Sequence, residues 1–122
     1  MPNKREIGAK NEQKAGEFLQ RQGYEILAYN VYCRHGELDI VAKHGGYLVF
    51  VEVKYRGELL FGYPLEAVDA KKQKTICICA LDYICQHGLG HLPVRFDVVS
   101  IVNEHVDVIQ NAFDFMVYEE IG

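Results

Sequence analysis

Two short runs of the sequence, GELDI and VEVK, alternate charged and apolar residues in a strand-like pattern. Side chains alternate between the two faces of a strand, so Glu37 and Asp39 share one face of the first run. Glu52 and Lys54 share one face of the second run for the same reason. Carboxylates bind hard divalent cations, and lysine stabilises phosphate charge, so Asp39, Glu52 and Lys54 are candidates for a metal-dependent site.

The segment between the runs predicts how they pair. Gly45 and Gly46 are typical of a two-residue β-hairpin turn. Counting outward from this turn places Asp39 directly across from Glu52, with Cβ atoms about 5 Å apart. Like charges so placed repel each other, and a cation such as Mg²⁺ or Mn²⁺ would remove the repulsion.

An ordinary solvent-facing hairpin is the alternative, with Glu37 and Lys54 forming a cross-strand ion pair. Leu48 and Phe50 share a strand face with Glu52 and Lys54, which indicates that this face is at least partly covered. In the metal-site interpretation, Lys54 orients or helps to deprotonate a water molecule and steadies phosphate charge.

The elements around the hairpin predict an α/β fold, with a mixed β-sheet flanked by helices. The second helix would serve as a crossover, so that a late strand joins the sheet parallel to a hairpin strand. The segment NAFDFMVYEE near the end is ambiguous. The predicted elements are a helix over 8–22, strands over 24–33, 37–43 and 47–54, a loop over 55–66, a helix from Asp69 to about 86, and strands over 94–102 and 105–110.

The overall composition suits one globular domain over residues 1–122, with 49% hydrophobic and 25% charged residues. No apolar run approaches the ~18 residues of a membrane span, and the N-terminus lacks the apolar core of a signal peptide. We therefore expect a cytoplasmic protein without a membrane partner. The net charge is −4, but twelve of the thirteen Lys and Arg residues fall within residues 1–74. The negative net charge argues against bulk electrostatic binding of nucleic acid, whereas the asymmetry leaves room for a local basic face.

The four cysteines do not follow the common zinc-site spacing. Cys77 and Cys79 form C-x-C instead of C-x-x-C, and Cys85 with His87 and His91 is only a weak zinc alternative. Small buried thiols in a reducing compartment are the favoured interpretation for all four.

Several longer motifs extend this pattern over nearly the whole chain. They are I-G-x3-E-x2-A-x2-F-L from Ile7, G-E-L-D-I from Gly36, V-F-V-E-V-K from Val49, F-G-x-P-x-E-A-V-D-A-K-K-Q from Phe61 and V-R-F-D-V from Val94. In order and spacing, these motifs resemble the YraN-like family of small bacterial proteins. The resemblance implies a restriction-endonuclease-like fold similar to that of archaeal Holliday-junction resolvases.

The resemblance also implies roles for individual residues. In nucleases of the D…(D/E)xK type, Asp39 matches the first metal ligand, and Glu52 and Lys54 match the E-x-K pair, so that Asp39 and Glu52 together are expected to hold the metal. The backbone carbonyl of Val53 is a further metal ligand in this pattern. The implied cofactor is Mg²⁺ or Mn²⁺.

Two helical residues are implied to support the same site, Glu12 on the first helix and Gln73 on the second. Each also lies on or beside the apolar stripe of its helix, where a polar group needs a partner. Other partners are open: Glu12 could pair with Lys10 or Arg34, and Gln73 could cap backbone groups near the start of its helix.

Basic residues that flank these motifs are candidates for a phosphate path, although a solvated basic face explains any one of them equally well. These candidates are Arg34, Arg56, Lys71, Lys72 and Lys74. Arg95 and Asp97 alternate on one side of a late strand, where a structural ion pair is the favoured interpretation.

Together these features favour a divalent-metal-dependent nuclease that hydrolyses DNA, with branched or damaged structures as implied substrates. A homodimer is plausible for an enzyme that cuts two strands. Two other functions remain open: a non-catalytic nucleic-acid or protein-binding module on the same fold, and phosphoester hydrolysis on a small nucleotide.

Overall fold

The computed structural model describes residues 3–56 and 68–118, with the side chains of Lys4 and Arg56 excepted. The predicted order of helices and strands is confirmed, and the uncertain last strand is present. Most of the predicted loop, together with residues 61–67 of the motif that begins at Phe61, lies outside the described residues. The elements are α1 (Lys4–Arg21), β1 (Glu25–Cys33), β2 (Gly36–His44), β3 (Tyr47–Arg56), α2 (Ala70–His87), β4 (Val94–Val102) and β5 (His105–Phe113).

Local capping fixes the ends of both helices. α1 begins earlier than predicted because Asn3 and Glu6 form a capping box, in which each side chain accepts from the backbone N–H of the other. α2 begins where predicted, with the Asp69 carboxylate accepting from the backbone N–H of Lys72 at 2.8 Å. It ends at Gly88, whose φ of 63° is left-handed. No helix in the described part of the chain is long and apolar enough to cross a membrane.

The five strands form one mixed sheet in the order β1-β2-β3-β4-β5. β3 and β4 are parallel, and the other neighbouring strands are antiparallel. The parallel pair confirms that α2 serves as the crossover, because parallel strands cannot be joined by a tight turn. This α/β architecture confirms the predicted fold class and is compatible with a restriction-endonuclease-like core.

Each face of the sheet carries its own apolar core. Leu19 of α1 packs in one cluster with Ile40, Val51 and Val99. A second cluster on the α2 side contains Ile76, Ala80, Phe50, Phe96 and Val98. Since β3 and β4 are covered on both faces, both strands are nearly continuous apolar runs, and a charged residue inside them needs a specific partner.

Asp97 is such a residue and is fully buried. Its carboxylate accepts two hydrogen bonds from the Arg95 guanidinium, both at 2.9 Å. The Tyr24 hydroxyl donates to it at 2.6 Å, and the backbone N–H of Asn111 donates at 3.0 Å. The predicted structural ion pair is therefore confirmed as the centre of a buried network.

The prediction of four free thiols is wrong for one pair, because Cys33 and Cys79 form a disulfide. They lie 46 residues apart, on β1 and α2, and the packing of this helix against the sheet brings them together. Cys77 is free and buried as expected, whereas Cys85 is free and exposed. Within residues 3–56 and 68–118, Cys85 forms no metal-ligand cluster with His87 and His91.

We expect reduction of the Cys33–Cys79 disulfide to lower the free energy of unfolding by about 2–4 kcal/mol, because the bond restricts the unfolded chain. Urea unfolding with and without dithiothreitol measures this difference. Cys85→Ser is the matched control and should keep the full difference, because it leaves the disulfide intact. Equal stability of oxidised and reduced protein would contradict the expectation.

Candidate metal centre

The pairing between β2 and β3 ends at the position of the first predicted ligand. The register is as predicted from His44–Tyr47 to Ile40–Val51, but it does not continue to Asp39 and Glu52. The Asp39 carboxylate instead accepts a hydrogen bond from the backbone N–H of Val53 at 2.8 Å. The prediction that Asp39 and Glu52 lie directly opposite each other in the ladder is therefore wrong, because the Asp39 side chain accepts a hydrogen bond from the backbone of β3.

The neighbouring strand β1 is irregular at the same level. Asn30 stands between two paired residues of β1 and has a left-handed φ of 52°. Asparagine tolerates this conformation better than most residues. Beyond this point, Val31 and Leu38 pack in the α2-side core, whereas Ile40 packs in the α1-side core. The paired strands thus change the direction of their side chains here, which lets Glu37 reach towards α1.

Three carboxylates converge at this irregularity. Glu12 of α1 and Glu37 and Asp39 of β2 each offer one oxygen, and the three oxygens lie within 4.8 Å of one another. We call these three residues the acid cluster. Oε2 of Glu12 is buried and has no hydrogen-bond partner among the described residues. Such an atom is unfavourable unless something binds it, and an all-oxygen donor set of this size fits Mg²⁺ or Mn²⁺.

Glu52 lies next to the acid cluster on the side of the sheet that faces α2. Its side chain is only 6% exposed, and its Oε1 lies 3.7 Å from Nζ of Lys54 and 3.8 Å from Nζ of Lys72. Asp39 is close enough to Glu52 that, after burial, its charge is the largest cause of the raised pKa of Glu52. Two lysines and four carboxyl groups are therefore connected through Asp39.

Burial and mutual repulsion shift the pKa values of these carboxyl groups. Burial, followed by the charges of Asp39 and Glu37, raises the pKa of Glu12 to about 7. Burial and the charge of Asp39 raise the pKa of Glu52 to about 7 as well. Burial also raises the pKa of Asp39 and of Glu37, although the Val53 N–H and the two lysines counteract the shift at Asp39. At neutral pH the group holds protons that a divalent cation could replace.

The family model for "Uncharacterised protein family UPF0102" matches residues 11–101. The chain belongs to the UPF0102 family. A UPF0102 protein of Lachnoclostridium phytofermentans is 48% identical over 113 residues, which cover 92% of this chain and 96% of the relative. A UPF0102 protein of Caldicellulosiruptor saccharolyticus is 46% identical over 117 residues, or 91% of this chain and 99% of the relative. The YraN-like resemblance is thereby confirmed, and the UPF0102 match includes the acid cluster, Glu52 and both lysines.

Glu37 is the member of the acid cluster that the sequence-based site did not include. Its alternation with Asp39 on one strand was the available signal, but the regular hairpin assigned it to Lys54 as an ion-pair partner. In this UPF0102 chain, Lys54 contacts Glu52 instead, and Glu37 faces Glu12 and Asp39. The contact observed at Val53 is the N–H that it donates to Asp39, and the role of its carbonyl as a metal ligand stays a prediction.

The observed contact of Gln73 is a local one. Its side-chain amide nitrogen donates to the backbone carbonyl of Val68 at 3.0 Å, just before the start of α2. This is the backbone-capping role that the sequence left open.

The basic candidates differ in their relation to the site. Lys72 lies beside it, since its Nζ is 3.8 Å from Oε1 of Glu52 and its charge opposes the rise in the pKa of Glu37, Asp39 and Glu52. Lys74 lies over the ring of Tyr118, with Nζ 5.3 Å from the ring centroid. Arg34 and Lys71 are exposed, and the side chain of Arg56 lies outside the described part of the chain.

The raised pKa values predict how stability depends on pH in the absence of metal. An acid whose pKa is about 7 in the folded protein and about 4.5 in the unfolded chain binds more protons when folded. The free energy of unfolding should therefore fall as the pH rises from about 4.5 to 7. In EDTA, Glu12→Gln should show a weaker fall than the wild type, whereas exposed Glu25→Gln should follow the wild type. Thermal unfolding between pH 5 and pH 8 measures this, and equal slopes for Glu12→Gln and the wild type would contradict it.

Proposed function

We propose that this UPF0102 protein is a divalent-metal-dependent phosphodiesterase that acts on nucleic acid, with DNA as its substrate. The observation that carries the proposal is the buried, unpartnered oxygen of Glu12 inside a cluster of three carboxylates. The similarity of Asp39, Glu52 and Lys54 to the D…(D/E)xK pattern supports nucleic acid as the substrate class.

The acid cluster would hold Mg²⁺ or Mn²⁺ through Glu12, Glu37 and Asp39. The fit rests on carboxylate oxygens alone, which is the donor type that both cations prefer. Bound there, the cation would lower the pKa of a water molecule and offset phosphate charge. The Val53 N–H holds the Asp39 carboxylate in place, as a second layer of hydrogen bonds commonly does for metal ligands.

Glu52 and its two lysines would act on the reacting groups directly. Glu52 has a pKa of about 7, so it can take or give a proton at neutral pH. The Lys54 and Lys72 ammonium groups, each within 4 Å of Glu52, would stabilise the negative charge that develops on the phosphate. Gln73, held by Val68, would position the attacking water through its amide oxygen.

Cleavage of end-labelled oligonucleotides in Mn²⁺ or Mg²⁺ tests the proposal, with single-stranded, nicked, flapped and four-way-junction DNA and matched RNA as substrates. We expect cleavage that EDTA abolishes and that Lys54→Met slows by about 100- to 1,000-fold, the usual effect of removing one charge-stabilising group. Lys43→Met replaces an exposed lysine of the adjacent strand and should leave the rate unchanged.

Two results would contradict the proposal. One is cleavage that persists in Lys54→Met at the wild-type rate, which would indicate a contaminating nuclease. The other is binding of DNA that is equally tight in EDTA and in Mn²⁺, without cleavage of any substrate. The second result would assign the protein to the non-catalytic binding modules, whose affinity depends on salt through Lys and Arg contacts.

A further inference from the structure

A groove lies between α1 and the edge strand β1, directly beside the acid cluster. Its volume of about 440 Å³ falls within the range of about 300–1,000 Å³ that is typical of small-ligand sites. The groove, called here the α1–β1 groove, has walls from one face of the helix and one segment of the strand. Its polar lining consists of Glu12, Gln13, Glu17, Gln20, Tyr29 and Asn30.

The lining of this groove does not suit a phosphate. Two of its side chains are carboxylates, and none of the described lining residues is a lysine or an arginine. Three others are amides, each of which offers both donors and an acceptor for hydrogen bonds. A flat, uncharged group with several polar edge atoms fits this set, and a nucleobase is such a group.

Tyr29 supplies an aromatic wall whose position is fixed by the helix. A Cβ atom at Gly16 would collide with the hydroxyl and ring atoms of Tyr29, so the ring rests directly on the helix backbone. The side chain nevertheless remains 42% exposed. An aromatic ring that is held in place and still accessible provides a stacking surface for a base of any identity.

Glu12 connects the groove to the acid cluster because it belongs to both. We infer that the α1–β1 groove receives one unpaired nucleobase of the strand whose phosphate meets the acid cluster. The Glu17 carboxylate and the amides of Gln13, Gln20 and Asn30 contact the edge of the base, and Tyr29 contacts its face. This inference rests on the proposed function and narrows its substrate class.

A base inside a continuous duplex is stacked and paired, so it cannot enter the groove without leaving the helix. The substrates are therefore single strands, flaps, gaps or bulges, in which an unpaired nucleotide adjoins the scissile phosphate. An intact duplex of the same sequence binds more weakly because the unpairing of one base opposes its binding.

An abasic scan tests this contact. Fluorescence anisotropy measures the affinity of wild type, Tyr29→Ala and Gln20→Ala for a short labelled single-stranded DNA in Ca²⁺, and a gel confirms that the DNA stays intact. We expect one position at which removal of the base weakens wild-type binding by about fivefold to a hundredfold, the usual contribution of one stacked base. At that position, the base removal and Tyr29→Ala together should weaken binding no more than either change alone. The same holds for Gln20→Ala, an exposed residue whose loss leaves the core intact.

Tyr32→Ala is the matched control, because Tyr32 is an exposed tyrosine of the same strand that does not line the groove. Its effect should add to that of base removal at every position. Independent effects of Tyr29→Ala and base removal at all positions would overturn the inference, as would equal affinity for single strand and duplex. Metal-free binding of oligolysine that requires Glu17 would overturn it too, by assigning the groove to a basic peptide. Asp39→Asn distinguishes a failure of this inference from a failure of the proposed function. If DNA binding depends neither on metal nor on Asp39, the proposed function itself fails.

Discussion

Asp39→Asn should lower the affinity of the protein for Mn²⁺ by more than about 100-fold and abolish metal-dependent cleavage. Loss of a residue that merely orients a metal ligand costs about 10- to 100-fold, and Asp39 is assigned as a ligand itself. Asparagine keeps an oxygen that can accept the Val53 N–H, so the local backbone should be retained. Isothermal titration calorimetry with Mn²⁺ measures the affinity, and thermal unfolding confirms that the variant is folded.

The matched control for this substitution is Asp82→Asn, which changes an exposed acid on α2 to the same amide. It should bind Mn²⁺ as the wild type does. Affinity within about threefold of the wild type for a folded Asp39→Asn variant would remove this residue from the ligand set, since even indirect effects on metal sites are usually larger.

Asp97→Ala should lower the free energy of unfolding by about 3–5 kcal/mol, because it removes one partner of a buried ion pair. The Arg95 guanidinium, the Tyr24 hydroxyl and the Asn111 N–H would all lose the carboxylate that accepts their hydrogen bonds. Arg95 is only 11% exposed in its side chain, so water could replace this partner only in part. The midpoint of thermal unfolding should fall by about 10 °C or more.

The pair of His105 and Asp107 is the matched control on the neighbouring strand. Its atoms are 3.1 Å apart, but both side chains are largely exposed. Asp107→Ala should therefore change stability by no more than about 1 kcal/mol. A similar small effect for Asp97→Ala would contradict the view that the buried network holds the sheet together.

The regular part of the hairpin could be predicted because its signals are local. The alternation of apolar residues and the two glycines of the turn are sufficient to fix the register from His44–Tyr47 to Ile40–Val51. The break at Asp39 could not be predicted in this way. It depends on the Asp39 side chain, which accepts a hydrogen bond from the backbone of β3. It also depends on Asn30 of β1, which has a left-handed conformation.

The members of the acid cluster could be predicted only in part, because the same break in the hairpin decides which acids meet. The resemblance to the YraN-like family implies that Glu12 supports the site of Asp39, and the structure brings their carboxylates together with that of Glu37. Glu37 was assigned to Lys54 because a regular ladder puts them opposite each other, and the ladder ends before it reaches them. Because the backbone is irregular here, Glu37 joins Glu12 and Asp39 and does not lie opposite Lys54.

The disulfide shows a second limit of sequence reasoning. Cys33 and Cys79 are 46 residues apart, and neither their spacing nor their surroundings distinguish them from Cys77 and Cys85. Only the packing of α2 across β1 and β2 selects this pair. The pairing of cysteines cannot in general be deduced from the sequence of one chain.

The most direct test of the metal centre is an anomalous difference map from a crystal of the protein grown with Mn²⁺. We expect a peak that is bound by oxygens of Glu12, Glu37 and Asp39, at about 2.0–2.3 Å, the range of oxygen ligands of hard divalent cations. The peak should be absent from crystals of Asp39→Asn. A map without a peak at the acid cluster, or with Mn²⁺ only at other residues, would contradict the metal-dependent mechanism.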